Sequence, residues 1–315
     1  MLCTPVIRGL KKRHPKSEIH FLTKSQYSQL LEGNPYIDKV LSLDESLLKT
    51  VDAIKAEEYD VIIDLHNNLR THIIKFLTGV KTYKFDKLNF KKWLITCFKI
   101  NRLPDLHIVD RYMDTADKIG IHKDKGGLDF FINKNSKAHI NLKFKPKENI
   151  ELCFCIGGQH ETKKLPINKI VNICSHVGYR VYLIGGPEDK AVGASVEKDC
   201  SNVINTCGEL SIMESAALIE RTDILITHDT GMMHIGAALK TKIVSIWGNT
   251  IPQFGMYPYL PNNRHRFSII ENKNLDCRPC SKIGHDSCPK GHFSCMESVD
   301  SIHVKNEIEK LLNKS

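Results

Sequence analysis

The stretch DILITHDTGMMHIGAALKTKIVSIWG, at residues 223–248, contains the clearest secondary-structure pattern of the chain. Residues 224–227 are apolar and β-branched, which is typical of a buried parallel strand, and residues 232–239 have the apolar density of a helix. A second apolar strand follows at residues 243–247. The turn Asp229-Thr230-Gly231 lies at the carboxyl end of the first strand, where open α/β sheets bind ligands.

This turn is suited to binding an anion. Gly231 lets a ligand approach the backbone, while the amides of Thr230, Gly231 and Met232 and the Thr230 hydroxyl point at whatever lies before the helix. A diphosphate fits this arrangement best. Alternatively, Asp229 or Thr230 only caps the helix, and His234 packs against the sheet.

Length, composition and charge narrow the class of protein. With 315 residues, 41% of them hydrophobic, the chain can bury a sizeable core, and two domains are expected. We expect neither a signal peptide nor a membrane span, and the scattered cysteines of the apolar segments are typical of a reduced cytoplasmic protein. The net charge of +9 indicates an anionic partner, such as a nucleic acid, a phosphorylated lipid headgroup or a phosphorylated sugar.

The first part of the chain predicts an α/β domain without its first strand. Helices are expected at residues 4–13, 26–31 and 47–56, and strands at residues 19–22, 40–43 and 61–65. A doubly wound domain has its first strand in the middle of the sheet, before the first helix. Because the chain opens on a helix, we expect this strand to be absent.

Candidate contacts for an anionic acceptor lie in this domain. Arg70 follows the third strand and is a possible anion clamp, or alternatively a solvated arginine at a helix start. Arg111, in a helical stretch at residues 107–119, is a second candidate. Residues 81–102 interleave lysines with aromatic side chains, which suits a membrane surface or an anionic lipid, or alternatively forms a solvated helix face.

The second domain alternates strands and helices regularly, which predicts a Rossmann-like sheet. Polarity rises at residues 134–149 without a clear period, so we place the linker there and the domains at residues 1–140 and 141–315. A strand at residues 150–156 is followed by a Gly-Gly turn and then by Lys163 and Lys164. These lysines are a plausible second contact for phosphate.

Motifs spread along nearly the whole chain resemble those of the glycosyltransferase family 9 heptosyltransferases. They are TPVIR at 4–8, NPYID at 34–38, GQHETKKLP at 158–166, GGPED at 185–189, HDTGMMH at 228–234 and WGNT at 247–250. The resemblance implies a GT-B fold, in which two Rossmann-like domains face a cleft. It also implies transfer of heptose from ADP-heptose to the lipopolysaccharide inner core, and it favours the diphosphate site over a simple helix cap.

The resemblance also implies binding roles for individual residues. The resemblance implies that the ADP-sugar donor is bound by Lys163, Gly208, Ser211, Asp229, Thr230, Gly231, Met232 and His234. It implies that Arg70 and Arg111 bind the acceptor, an anionic glycolipid of the lipid A and inner-core type. The enzyme would then be cytoplasmic, with a peripheral contact at the inner face of the cytoplasmic membrane, and would bind no nucleic acid.

The implied reaction is an inverting transfer without a cofactor or an essential metal. Donors at Lys163 and the turn would stabilise the ADP leaving group, whose charge grows in the transition state. Family members carry the proposed general base in a Gly-Asp turn, which here would lie before Met1. We therefore expect a truncated or misassigned start, weak ADP binding and impaired transfer, since Asp64 has no support as a substitute base.

The tail holds four clustered cysteines, Cys277, Cys280, Cys288 and Cys295. The first pair begins like a zinc knuckle, but the second pair is spaced too widely for a standard ribbon or finger. An ordinary reduced loop without metal is expected, with zinc or a disulfide as alternatives. An amphipathic helix at residues 301–312 is expected to pack back on the domains.

Two other functions remain open. A sugar-nucleotide-binding relative without catalysis would share every donor motif. A basic nucleic-acid-binding protein would explain the charge and the cysteines, but not the glycine-rich turns at strand ends, and the basic residues are dispersed rather than arranged in a stripe.

Overall fold

The computed structural model describes residues 1–43 and 46–314, and its strands are all paired in parallel. The strands are β1 (His20–Thr23), β2 (Lys39–Ser42), β3 (Ile62–Asp64), β4 (Thr82–Lys84), β5 (Glu151–Cys155), β6 (Arg180–Ile184), β7 (Val203–Asn205), β8 (Ile224–His228), β9 (Lys242–Trp247) and β10 (Phe267–Glu271). The α-helices are α1 (Thr4–Arg13), α2 (Leu47–Ala56), α3 (Leu69–Thr78), α4 (Asn89–Phe98), α5 (Ile108–Asp117), α6 (Lys134–Lys143), α7 (Ile167–Val177), α8 (Lys190–Asp199), α9 (Ile212–Arg221), α10 (Gly231–Ala238), α11 (Ser294–Glu297) and α12 (Ser301–Leu312). Within the described ranges, no helix is both long and apolar enough to cross a bilayer.

The described chain forms two compact units. The first consists of Met1–Leu88 and Leu106–Phe131, and the second of Asn89–Asp105 together with the chain from Ile132 onward. The division differs from the expected boundary at residue 140, because α6 replaces the expected linker. Asn133 caps this helix by accepting a hydrogen bond from the Ser136 amide at 2.8 Å. The helix packs on α9, so this segment belongs to the second unit.

The first unit contains two separate two-stranded sheets, one of β1 and β2 and the other of β3 and β4. Across residues 1–43 and 46–131, no strand joins β1 to β3. This split agrees with the expected lack of a first strand, which in a doubly wound sheet lies between the two halves. The structure adds β4, which the sequence analysis missed because three residues among lysines carry too little pattern.

The second unit has one six-stranded sheet in the order β10-β9-β8-β5-β6-β7. Strands β5 and β8 are buried along their whole length, as expected for parallel strands covered on both faces. The terminal helix α12 packs on α7, which confirms the expectation that it folds back. The edge strand β10 was not expected, because residues 267–271 have no helix–strand alternation around them.

The stretch at residues 223–248 folds as expected into β8, α10 and β9. Two of its glycines differ in the space around their Cα atoms. A Cβ added at Gly236 would lie 2.5 Å from Leu225, so glycine is required where α10 packs on β8. A Cβ added at Gly231 would meet no atom within 4 Å. The space in front of the helix is therefore open.

Candidate functional site

The candidate site lies at the carboxyl ends of β5, β8 and β9. These strands are neighbours, with Cys155 of β5 level with Thr227 of β8, and His228 level with Ile246 of β9. The chain order reverses between β5 and β8, since β6 and β7 lie on one side and β9 and β10 on the other. Such a switch point is where open α/β sheets bind ligands.

Lys163 and Asp229 meet at this edge, although 66 residues separate them in the chain. The Lys163 ammonium donates to Oδ2 of Asp229 at 2.7 Å and to its main-chain carbonyl at 3.1 Å. The Thr250 hydroxyl, at the end of β9, donates to the same Oδ2 at 2.9 Å. The Asp229 carboxylate is thus occupied within the protein, and it holds the ammonium in front of α10.

The start of α10 is not capped by a side chain. Thr230 is its N-cap residue with an extended backbone, and its hydroxyl lies 3.3 Å from the hydroxyl of Thr227 instead of binding a first-turn amide. Gly231 is exposed, and Met232 is half-buried. Because the Thr230 side chain caps nothing and Asp229 binds Lys163, the capping alternative does not describe this turn. Amides at a helix start attract anions, so the turn keeps the features expected of a phosphate contact.

His228 connects β8 to the segment that carries Lys163. The ring is fully buried, and its Nε2 accepts a hydrogen bond from the Leu165 amide at 3.2 Å. Burial lowers the pKa of His228 to about 4, assisted by the charge of Lys164 and opposed by the Gly157 carbonyl. The imidazole is therefore neutral near pH 7, as an acceptor must be. Sequence reasoning did not assign it a role, although it begins the His-Asp-Thr-Gly motif.

Lys164 makes contacts of its own. Its ammonium lies 2.6 Å from Glu161 and 3.5 Å from the buried Asp189. Burial opposes the charge, but the hydrogen bond that Lys164 donates to Glu161 and the charges of Asp189 and Glu161 raise the pKa of Lys164 overall. Asp189 also accepts from the Gly186 amide at 2.9 Å. This lysine is held toward the β6 side of the edge, whereas Lys163 is held toward the β8 side.

A buried amide at the end of β9 has no partner. Among the residues that the structure describes, neither the oxygen nor the nitrogen of the Asn249 side chain finds a hydrogen bond, and the residue is 2% exposed. Buried polar groups are nearly always satisfied, so an orphan beside Thr250 marks a candidate ligand contact. The sequence offered only the WGNT motif as a signal for it.

The remaining donor candidates also lie at this edge or on α10. Gly208 follows β7 with φ of +72°, and a Cβ there would lie 2.9 Å from Pro187, so glycine is required. Ser211 is the N-cap of α9, with its hydroxyl accepting from the Glu214 amide at 3.2 Å. His234 is buried within α10. Their contact with a nucleotide stays a prediction.

The two acceptor candidates lie in the first unit and differ in environment. Arg70 is exposed in the first turn of α3. Arg111 is buried, donates to the Asp86 carbonyl at 2.7 Å and stacks 4.8 Å from the centre of the Phe85 ring. Burial lowers the pKa of Arg111, against the charge of Asp86. Arg111 is therefore held by contacts within the first unit, whereas Arg70 is exposed, and the acceptor roles of both stay predictions.

The four clustered cysteines carry free thiols, of which Cys295 is buried and the others are half-buried. Within residues 1–43 and 46–314, no three side chains of histidine, cysteine or acidic residues are grouped so that they could hold a metal ion. Arg278 ties this segment to the sheet by donating to the carbonyl of Thr250 at 2.9 Å and to Glu271 at 3.0 Å. The segment thus supports the loop that carries Thr250.

Comparisons with known proteins show the family to which the chain belongs. A family model described as glycosyltransferase family 9 (heptosyltransferase) matches residues 47–286. Lipooligosaccharide heptosyltransferase 2 of Haemophilus influenzae is 23% identical over 310 residues, which cover 90% of this chain and 89% of that protein.

Solved structures resemble the whole chain. A glycosyl transferase family 9 protein of Veillonella parvula has a TM-score of 0.80 at 22% identity, covering 100% of this chain and 94% of that one. Escherichia coli heptosyltransferase WaaC, solved with ADP, has a TM-score of 0.67 at 17% identity, covering 98% and 95%. The fold is therefore of the GT-B class, as expected. Because the family model spans most of the sequence, the chain belongs to glycosyltransferase family 9 and is a glycosyltransferase.

Proposed function

We propose that the chain transfers heptose from ADP-heptose to a lipopolysaccharide inner-core acceptor, with inversion at the anomeric carbon and without an essential metal or cofactor. The main observation in favour of a donor-binding site is that Asp229 holds the ammonium of Lys163 in front of the uncapped start of α10. The names of similar proteins support the sugar and the nucleotide, since one is a lipooligosaccharide heptosyltransferase and another was solved with ADP.

In this proposal, the ammonium and the first-turn amides neutralise the diphosphate. A bare carboxylate beside a diphosphate would repel it, so the role of Asp229 is to orient Lys163 rather than to bind phosphate directly. Thr230, Gly231 and Met232 supply amides, and Gly208 and Ser211 border the nucleoside. No divalent cation is required, because the helix start and the ammonium supply the positive potential.

The reaction forms one bond and breaks one. An acceptor hydroxyl attacks the anomeric carbon, the bond from that carbon to the phosphate oxygen breaks, and ADP leaves as an anion. Interactions that strengthen with the leaving-group charge accelerate this step. The hydroxyl proton must pass to a base. Asp64 is a poor candidate, because its Oδ1 already accepts from the amides of His66 at 2.9 Å and Asn67 at 2.6 Å, so we propose that transfer by this chain is slow.

The acceptor in this proposal is an anionic glycolipid. The exposed guanidinium of Arg70 can form a bidentate pair with a phosphate or carboxylate, which a solvated arginine does readily. Arg111 would contribute positive potential through its charge while Phe85 and Asp86 hold it in place.

Calorimetric titration with ADP tests the donor site. We expect Lys163→Ala to weaken ADP binding about tenfold or more, the equivalent of about 1.4 kcal/mol. Lys147→Ala is the matched control, since Lys147 pairs with Asp223 at 2.6 Å just before β8, at the opposite edge of the same sheet. Equal ADP affinity of the folded Lys163→Ala variant and the wild type would refute the proposed site.

Product analysis separates the alternatives. Mass spectrometry of reactions with ADP-heptose and a deacylated inner-core acceptor should show a heptosylated product, also in the presence of EDTA. Saturable ADP binding without product would identify a catalytically silent sugar-nucleotide-binding protein. Binding to DNA that falls steeply with salt, without ADP binding, would identify the nucleic-acid-binding alternative.

A further inference from the structure

The helix α4 carries basic and aromatic residues that the donor site does not use. Residues 87–104 contain no aspartate or glutamate, so the segment is a continuous block of positive charge. Its cations are Lys87, Lys91, Lys92, Lys99 and Arg102. Such a block attracts an anionic surface, each cation near an acidic membrane adding to the attraction.

The inner side of α4 is anchored on the second unit. Ile95 is buried and packs with Ile251 and Phe254, which follow β9. At the carboxyl end of the helix, the Lys99 ammonium donates to the carbonyls of Cys277 at 3.1 Å and Pro279 at 2.8 Å. The helix is therefore a fixed part of this unit, and its orientation is set.

The outer side of α4 is a ridge of exposed aromatic rings, which we call the aromatic ridge: Phe90, Trp93 and Phe98. They are 69%, 47% and 58% exposed. The rings of Phe90 and Trp93 stack with centroids 5.8 Å apart, and Trp93 meets Phe98 edge-on at 5.1 Å. A contiguous exposed apolar surface of this kind, rimmed by charge, marks an interaction site.

We propose that the aromatic ridge docks on an anionic lipid bilayer, with α4 lying in the plane of the headgroups. Aromatic side chains at the boundary between water and acyl chains and lysines toward the phosphates are the features that bind helices to such surfaces. The exposed charges that flank the ridge, on Lys91 and Arg102, complement acidic headgroups.

This docking rests on the proposed function in one respect: a glycolipid acceptor is presented at a bilayer. The proposal also concerns the second unit, which carries the donor site. Docking through α4 would hold the donor-binding unit at the surface that contains the acceptor, without any contact between lipid and the Lys163 site.

Tryptophan fluorescence can report the docking directly. The chain has two tryptophans, and Trp247 is 1% exposed in the core, whereas Trp93 lies on the ridge. In a Trp247→Phe variant, Trp93 is the single reporter. We expect a blue shift, and quenching by brominated acyl chains, on adding vesicles of equal parts phosphatidylcholine and phosphatidylglycerol. Unchanged Trp93 emission on vesicles that bind the protein would overturn the proposal.

Sedimentation with the same vesicles measures the contribution of each part. We expect the triple variant Phe90→Ser, Trp93→Ser and Phe98→Ser to bind at least tenfold more weakly. Lys91→Glu changes the charge by two units, and we expect it to lower binding about fivefold for each unit. Phe76→Ser is the matched control, because Phe76 is 85% exposed on α3 in the first unit. Equal loss in the control, or a ridge that is buried in a homodimer in solution, would contradict docking through α4.

ADP titration of the triple variant distinguishes the two proposals. Unchanged ADP affinity with lost vesicle binding supports the docking surface and shows that the variant is folded. Normal vesicle binding by the triple variant overturns the docking surface, while loss of ADP binding by Lys163→Ala is a separate result that concerns only the donor site.

Discussion

Asp229 is an acidic residue at a site that we propose to bind a diphosphate, and its hydrogen bonds resolve this conflict. Oδ2 accepts from both Lys163 and Thr250, so the carboxylate is neutralised within the protein. The side chains of both ion-pair partners are largely buried, at 15% and 10% exposure, so the pair is less screened than one on the surface. Orientation of the ammonium is then the main contribution of Asp229.

Thr250→Val tests this reading of the carboxylate. The variant keeps the shape but removes the hydrogen bond to Asp229, so we expect the free energy of unfolding to fall by about 1 kcal/mol. ADP affinity should fall by less than in Lys163→Ala, because the ammonium remains. Denaturant unfolding and calorimetry measure the two effects. An affinity loss larger than that of Lys163→Ala would show that Thr250 contacts the ligand itself.

His228 makes stability depend on pH in a defined window. The unfolded imidazole takes up a proton near pH 6.5, whereas the folded one does so only near pH 4. The contribution of His228 to the free energy of unfolding is therefore fully present above pH 6.5. It is lost as the pH drops toward 4, which lowers the free energy of unfolding by about 3 kcal/mol. In His228→Gln, which retains an acceptor for Leu165, this part of the pH dependence should vanish. Identical pH profiles for the two proteins would exclude a buried neutral His228.

At the level of secondary-structure elements, α10 contains two glycines with opposite requirements. Gly236 faces Leu225, with no room for a Cβ, while Gly231 opens onto free space. We expect Gly231→Ala to leave the melting temperature unchanged or slightly raised, because alanine favours helices, and to weaken ADP binding because the methyl group enters the ligand space. Gly236→Ala should destabilise the fold. Thermal unfolding and calorimetry on both variants measure this contrast, and tight ADP binding by Gly231→Ala would place the phosphates elsewhere.

The cysteine-containing segment holds the loop after β9 in place. Arg278 is buried and donates to the carbonyls of Gly248 and Thr250 and to the carboxylate of Glu271. The cysteine-containing segment that carries Arg278 therefore positions Thr250, and through it Asp229. This is a structural use of the segment that needs no metal ion.

For the molecule as a whole, the two units have different cores. The first unit has two small sheets and small apolar clusters, whereas the second has a six-stranded sheet with an extensive buried core. Local stability follows buried apolar packing, so hydrogen exchange by mass spectrometry should be faster in β1–β4 than in β5, β8 and β9. ADP should slow exchange in the second unit. Uniform exchange across the units would contradict this difference.

Much of the second unit could be predicted because its signals are local. Apolar runs and glycine turns indicated β8, α10 and β9, and the Asp-Thr-Gly turn was correctly placed between β8 and α10. The lack of a strand between β1 and β3, across residues 1–43 and 46–131, was also readable from the order of helices and strands. In contrast, α6 was mistaken for a linker, because its buried face is little more than Ser136 and Ile140 and its apolar period is weak.

Residue order was sufficient for the type of each strongly patterned element, because hydrogen bonding and side-chain period act within a few residues. It could not tell which distant side chains meet. The contacts of Lys163 and Thr250 with Asp229, of His228 with the Leu165 amide and of Arg278 with the β9 loop arise from the packing of a parallel sheet. That packing brings the carboxyl ends of separate strands to one edge, where side chains far apart in the chain become neighbours.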